Sequence, residues 1–205
     1  MRYEIHVHSV FSDGAGAPRE IVEHAKRMGL NGVVITDHDV IDGSLEAVKY
    51  ATPDFTIIPG MEVSSKDGHI LALNVRTLVA RGLSAKETVD LIHAQGGLAI
   101  AAHPYDSWRR GVGDLILNAG FDAVEIVNGH TIYNKKDVVK ICREHRIPMT
   151  GGSDAHLMGE IGSVVVECEK PLLEAIKSGE LRILSRSKAG LFYNHLKFTL
   201  KRKLK

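Results

Sequence analysis

Cysteine is nearly absent: the 205 residues contain two, Cys142 and Cys168. Two cysteines make neither a disulfide framework nor a zinc ribbon, and they suit a reducing compartment. Long apolar runs are missing too. The longest, such as Leu98 to Ala102, reach about five residues, against the ~18 that cross a bilayer. No apolar stretch follows the start, where Met1-Arg2-Tyr3-Glu4-Ile5 leads into an expected strand. A cytoplasmic chain without a signal peptide is therefore expected. There is no internal repeat, and no Pro- or Ser-rich linker before about Leu184. Net charge is only +1, with 44% hydrophobic and 25% charged residues. These are globular values and exclude a disordered or collagen-like chain. The length suits one domain with an appendage.

What is present is histidine, eleven of them, roughly twice the share of an ordinary globular chain. Charge is also uneven. Residues 186–205 carry seven basic side chains and no acidic one, which leaves −6 on residues 1–185. Within that segment Phe192, Leu196, Leu200 and Leu204 recur every fourth position, the stripe of an amphipathic helix. A domain over 1–185 and a basic amphipathic tail over 186–205 are expected. The tail could contact nucleic acid, lie on a membrane surface, or serve only as a solubilising end.

Strand-like runs alternate with helical ones. Strands are expected at Tyr3 to His8, Gly32 to Thr36, Phe55 to Val63, Ile70 to Val75, Leu98 to Ala102, Ala123 to Val127, Met149 to Gly152 and Ser163 to Glu167. Helices are expected at Pro18 to Met28, Ser44 to Tyr50, Ser84 to Gln95, Lys135 to His145 and Pro171 to Ser178. Ser84 followed by Glu87 is a capping-box pattern. Such alternation reads as an α/β fold with a parallel sheet or barrel. About seven βα units in this length fit a small TIM-like barrel better than a full one of ~250 residues.

The polar residues cluster at strand ends, the rim where barrels build active sites. His6 and His8 are two apart on one strand and so share a face. Asp13 follows in Ser12-Asp13-Gly14. Asp37-His38-Asp39 ends the second strand, Glu62 the third, and His103 in His103-Pro104 a later one. His69 opens the strand after Glu62. Asp154 and His156 follow Gly151-Gly152-Ser153. One His-x-His pair is weak, since chance alone supplies roughly 0.6 in this composition. Nine imidazoles and carboxylates on one rim are specific. Imidazole with carboxylate suits Zn, Mn or Fe, and nine exceed the ligands of a single catalytic ion, so two or three divalent ions are expected.

These segments, His6-Val7-His8-Ser9 through Ser12-Asp13-Gly14, Thr36-Asp37-His38-Asp39, Gly60-Met61-Glu62, His69-Ile70-Leu71-Ala72-Leu73, His103-Pro104 and Gly152-Ser153-Asp154-Ala155-His156, resemble the motif set of the PHP (polymerase and histidinol phosphatase) family. The resemblance spans about residues 3 to 166. It implies a distorted (β/α)7 barrel and metal-dependent phosphoester hydrolysis at a trinuclear site. Carried over, His6, His8, Glu62 and Asp154 would hold one ion. Glu62, His69 and His103 would hold a second, and Asp13, His38 and His156 a third.

Around this set, Arg109 and Arg110 are candidates for phosphate, because a guanidinium forks onto its oxygens. Trp108 beside them offers a ring to a base. Asn128 and His130 follow a strand on the same rim, Asn128 as a substrate contact and His130 as a proton donor to the leaving oxygen. Asp37 is read as orienting a ligand or forming a turn. His24, His93, His145 and His195 are read as ordinary. The expected enzyme is a phosphatase or a nuclease, acting on a small phosphorylated substrate or short nucleic acid. A non-catalytic nucleic-acid-binding subunit is the competing reading, which loss of ligands would mark.

Overall fold

The computed structural model describes residues 1–106 and 108–186. The expected amphipathic tail and His195 lie outside the described residues. Among the described residues, ten strands form two five-stranded sheets. The first has the order β10-β9-β1-β2-β3 and the second β4-β5-β6-β7-β8. In chain order these are β1 (Arg2–Val7), β2 (Gly32–Ile35), β3 (Thr56–Ile57), β4 (Gly60–Ser64), β5 (His69–Leu73), β6 (Leu98–Ala101), β7 (Ala123–Asn128), β8 (Met149–Gly152), β9 (Val164–Glu167) and β10 (Arg182–Ser185).

The all-parallel arrangement expected from the alternation is corrected to a mixed one. β1, β2 and β3 are parallel, as are β6, β7 and β8. β5 runs antiparallel between β4 and β6, and β9 antiparallel between β1 and β10. The run Phe55 to Val63, expected as one strand, splits into β3 and β4 in different sheets. Pro59 lies at the break, where it has no N–H to give a ladder. Among the described residues, no continuous ladder closes the two sheets. They are joined by isolated parallel bridges, Val7 with Ala155 and His38 with Glu62. One core cluster nevertheless draws on both sheets, with Ile5 and Val34 packed among Leu71 and Ile100.

The helices start and stop where their side chains allow. α1 (Pro18–Arg27) begins with proline, whose missing N–H costs nothing there. Glu20 accepts the Ala17 N–H at 2.8 Å. α2 (Asp42–Val48) follows β2. α3 (Ala85–Ala94) has the expected capping box: Ser84 Oγ accepts from Glu87 N, and Glu87 accepts from Ser84 N at 2.9 Å. α4 (Val138–His145) starts later than expected because Asp137 caps it, accepting from Lys140 N at 3.0 Å. α5 (Leu172–Ser178) stops at Gly179, whose φ of +71° a side chain would disfavour. Its Leu172 and Ile176 join the cluster that unites the sheets. No helix among the described residues is long and apolar enough to cross a membrane.

This topology puts the polar residues on one rim. β1, β2, β6 and β8 all run toward it and release His8, His38, His103 and Asp154 just past their ends. β5 runs the other way, so its first residue lies there: His69 pairs with Ser64 at the end of β4.

Candidate metal centre

Glu62 is fully buried in β4, with imidazoles on both oxygens. Its Oε2 lies 3.3 Å from His6 Nε2, His8 Nε2 and His38 Nδ1. Its Oε1 lies 3.2 Å from His69 Nδ1 and His103 Nε2. Asp154 Oδ1 adds to the first group, 3.4 Å from His6 Nε2 and 3.1 Å from His8 Nε2. On the far side of His8, whose ring stacks between those of His38 and His156, Asp13 Oδ1 lies 3.2 Å from His156 Nε2 and 4.0 Å from His38 Nε2. All nine expected ligands therefore converge. Two details differ from the expectation: His8 faces Glu62 and Asp154 with Nε2 and lies 3.8 Å from Asp13 with Nδ1, and His38 is also shared. His38 faces Glu62 with one nitrogen and Asp13 with the other, so it stands between two groups rather than in one.

This donor set fits divalent metal. Two donors each ~2.1 Å from one ion at a tetrahedral angle lie roughly 3.4 Å apart, which is the spacing seen around Glu62. Among the described residues, four sets have ligand atoms within 4.8 Å of one another: His6, His8, Glu62, Asp154; His8, Asp13, His38, His156; His38, Glu62, His69; and His130, His156, Glu160. The charges support each other. Burial opposes ionisation of Glu62 and Asp154, yet the facing His6 holds both well below the usual carboxylate range, with His38 assisting at Glu62 and Arg109 at Asp154. Against the same burial, Asp154 and Glu62 lift His8 to about 9, and His156 holds Asp13 down at about 2.

Residues absent from the sequence expectation position these groups. Glu125, buried on β7, lies 2.9 Å from His6 Nδ1 and accepts from His103 N and Asn128 Nδ2. Glu4 is buried beneath His6. It accepts from the backbone of Ile5, His6, Ser153 and Gly162 and from Ser153 Oγ, tying β1 to the segment carrying Asp154. Burial pushes its carboxyl up to about 7 against those donors. Glu160 accepts from His156 N and Leu157 N at 2.9 Å and lies 3.3 Å from His130 Nε2. The signal for each was slight, one carboxylate in an otherwise apolar or irregular run. The Asp37 carboxylate turns to the loop after β1. It accepts from Ser9 N, Ser9 Oγ and Ser12 Oγ at 2.6–2.7 Å, which fixes the loop that presents Asp13.

Backbone form matters at this rim. Asp39, His103 and Asp154 have positive φ, at 53°, 31° and 52°, conformations that side chains disfavour and that surrounding contacts must enforce. A Cβ on Gly152 would sit 2.4 Å from His6 Cβ and 2.9 Å from Glu125 Oε1, so β8 approaches β1 only as glycine.

Above the carboxylates lies a cavity of about 380 Å³ lined by Asp13, His38, Glu62, His69, His103, Arg109, Arg110, His130, Asp154 and His156. The Arg109 guanidinium contacts Asp154 Oδ2 and is also held by Asp106, Asn128 and Thr131. Arg110 reaches the Ser65 and Lys66 carbonyls at 3.3 Å. Asn128 is not on this lining. Its amide accepts from Arg109 and His130 N and donates to Glu125 and Asp154. Away from the rim, His93 lies 2.8 Å from Asp122, and His24 and His145 sit on α1 and α4, as expected of ordinary histidines.

A family profile described as PHP-associated (PHP_C) matches residues 133–181. An uncharacterized protein of Methanocaldococcus jannaschii is 34% identical over 142 residues, 63% of this chain and 83% of that protein. A 5'-3' exoribonuclease of Haemophilus influenzae is 37% identical over 78 residues, 36% of this chain and only 28% of the enzyme's length. The fold resembles that of a two-domain Bacteroides vulgatus protein containing a predicted PHP-like metal-dependent phosphoesterase. The TM-score is 0.73 at 20% identity, over 96% of this chain and 69% of that one.

Proposed function

The chain belongs to the PHP family, and from that premise we propose that it is a metal-dependent phosphoester hydrolase. The observation that carries this reading is Glu62, one buried carboxylate faced by five imidazole nitrogens at 3.2–3.3 Å. His6, His8, Glu62 and Asp154 would hold one ion, Glu62, His69 and His103 a second, and Asp13, His38 and His156 a third. Such divalent ions, Zn, Mn or Fe, supply Lewis-acid charge for phosphoryl oxygens and acidify water. We also read the two sheets as one distorted (β/α)7 barrel, its seams the bridges of Val7 with Ala155 and His38 with Glu62.

The chain's own residues supply the rest. Arg109, fixed by Asp106, Asn128 and Thr131, turns its guanidinium toward the cavity and takes phosphoryl oxygens. Arg110 adds positive charge at the rim. Asn128 acts by holding Arg109 and Asp154 rather than by touching substrate. His130 lines the cavity and hands a proton to the leaving oxygen, with Glu160 orienting its ring through Nε2. All nine ligand positions are filled, which favours a catalyst over a degenerate binding subunit.

The test is incubation of the purified protein and Mn²⁺ with a 5'-phosphorylated oligonucleotide, reading free phosphate and mononucleotides separately. Mononucleotides define a nuclease and free phosphate alone a phosphatase. Either product must vanish with Asp154→Asn. Product undiminished in that variant, or neither product here and none from a phosphomonoester panel, overturns the reading.

A further inference from the structure

The described residues leave nine large hydrophobic side chains exposed, and five of them stand on loops that line the cavity. Trp108 is 85% exposed beside Arg109 and Arg110. Ile132 and Tyr133, at 54% and 63%, follow His130. Val10 and Phe11, at 53% and 45%, precede Asp13. Of these, Trp108, Ile132 and Tyr133 stand on two neighbouring loops, and large apolar side chains exposed side by side mark a contact site.

The loops of Trp108 and Tyr133 are fastened to each other. Asp106 and Asn134 form an antiparallel bridge, and Lys135 N donates to Tyr105 O at 2.9 Å. Thr131 Oγ1 accepts from Arg109 Nη2 at 2.8 Å and donates to Asp106 Oδ2 at 2.9 Å. The two aromatics are thus presented by a braced pair of loops, with little ordering left for binding to impose. Cations adjoin them: Arg110 lines the cavity and reaches back to Lys66, which is exposed.

From this we propose that Trp108 and Tyr133 form a platform on which an unpaired nucleobase stacks, which makes the substrate class single-stranded nucleic acid rather than a base-free phosphate ester. The proposal rests on the phosphoester reading of the cavity, which places a phosphate beside the platform. Aromatic faces beside basic side chains match a strand whose bases are exposed and whose backbone is anionic. A protein partner for the apolar patch would have no use for the adjacent cations and the carboxylate–imidazole cavity.

Trp108 is the only tryptophan in the chain, so its fluorescence reports the contact directly and without turnover. The full-length protein is titrated with three probes of equal length: a single-stranded oligonucleotide, its duplex, and an abasic phosphodiester strand. The platform predicts saturable quenching by the single strand and little by the duplex or the abasic strand. By fluorescence anisotropy of the labelled single strand, Trp108→Ala or Tyr133→Ala should weaken binding about 5- to 100-fold, the range one stacked base supplies, with no change for the abasic strand. Both side chains are exposed, so neither variant threatens the fold. Equal quenching by the abasic strand, or unaltered affinity in both variants, overturns the proposal. Emission that follows protein concentration instead of oligonucleotide also overturns it and assigns the patch to a second copy of the chain. Quenching without Mn²⁺-dependent hydrolysis would leave the platform standing and remove the catalytic reading; hydrolysis without quenching would do the reverse.

Discussion

Glu125 shows how much of this site rests on a side chain with no motif around it. One oxygen faces His6 Nδ1 and the other takes the His103 N–H and the Asn128 amide. Carboxylates placed behind metal-binding imidazoles fix the ring and raise its basicity, and losing one costs roughly 10- to 100-fold in metal affinity. Glu125→Gln should therefore weaken Mn²⁺ or Zn²⁺ binding by that factor in a chelator competition, while the far-ultraviolet circular dichroism stays native. An unchanged affinity would reduce Glu125 to a packing residue. Gly152→Ala should act on the same pair by steric force, because its Cβ would collide with His6 Cβ and crowd Glu125. We expect reduced metal content by elemental analysis together with a lower Tm, as overpacking costs about 1–3 kcal/mol. Retention of both would mean that β8 can move away from β1.

Among the elements, α3 offers a clean separation of stability from chemistry. Ser84 and Glu87 satisfy each other's backbone N–H groups at its start, on the exposed surface and away from the cavity. Ser84→Ala should cost about 1 kcal/mol, read as a lower urea midpoint with unchanged slope, and leave metal stoichiometry intact. A change in stoichiometry would show that α3 sets the position of β6 and His103. The capping box was legible in the sequence because its rule is local. So were the helices and the gathering of the nine candidate imidazoles and carboxylates, whose residue types are costly to place at strand ends for any other reason. The sheet directions were not legible. β5 looks like any apolar strand, and only its antiparallel pairing with β4 and β6 explains why His69 opens it. β10 went unseen because its half-exposed Arg182–Ser185 run lacks a full apolar face. Glu4 and Glu125 went unseen because a carboxylate within a strand signals nothing until its partners, distant in sequence, are known, and Glu160 because it lies in a short 3-10 turn without a motif.

At the scale of the molecule, the two sheets share few backbone bonds, and the candidate ligands bridge them. His6 and His8 come from the first sheet and Glu62 from the second. Ions bound there would cross-link the halves. At ~1,000-fold excess over Kd such binding stabilises by about 4 kcal/mol, which for a chain of this size means a Tm higher by about 10 °C. Differential scanning calorimetry with and without a chelator measures this; equal Tm values would show that no ion binds the folded state in preference to the unfolded one. The thiols give a second whole-molecule check. Cys142 and Cys168 are both free and buried, and burial pushes the Cys142 thiol up to about 11. Both should stay silent to a thiol reagent at pH 8 in the native protein and react in urea; rapid native reaction would reveal a loosely closed core. The ligand order along the chain has a consequence for synthesis. The first nitrogen of the cluster is contributed at residue 6 and the last at residue 156, and β9 then returns to pair with β1. Domains begin to fold from the N-terminus as they are made, but here an emerging chain carries His6 and His8 long before Asp154 arrives to join them. The set of Glu62, His69 and His103 is complete once residue 103 has been made, whereas a candidate set that needs Asp154 or His156 must wait for that segment, and a product truncated before residue 150 lacks both.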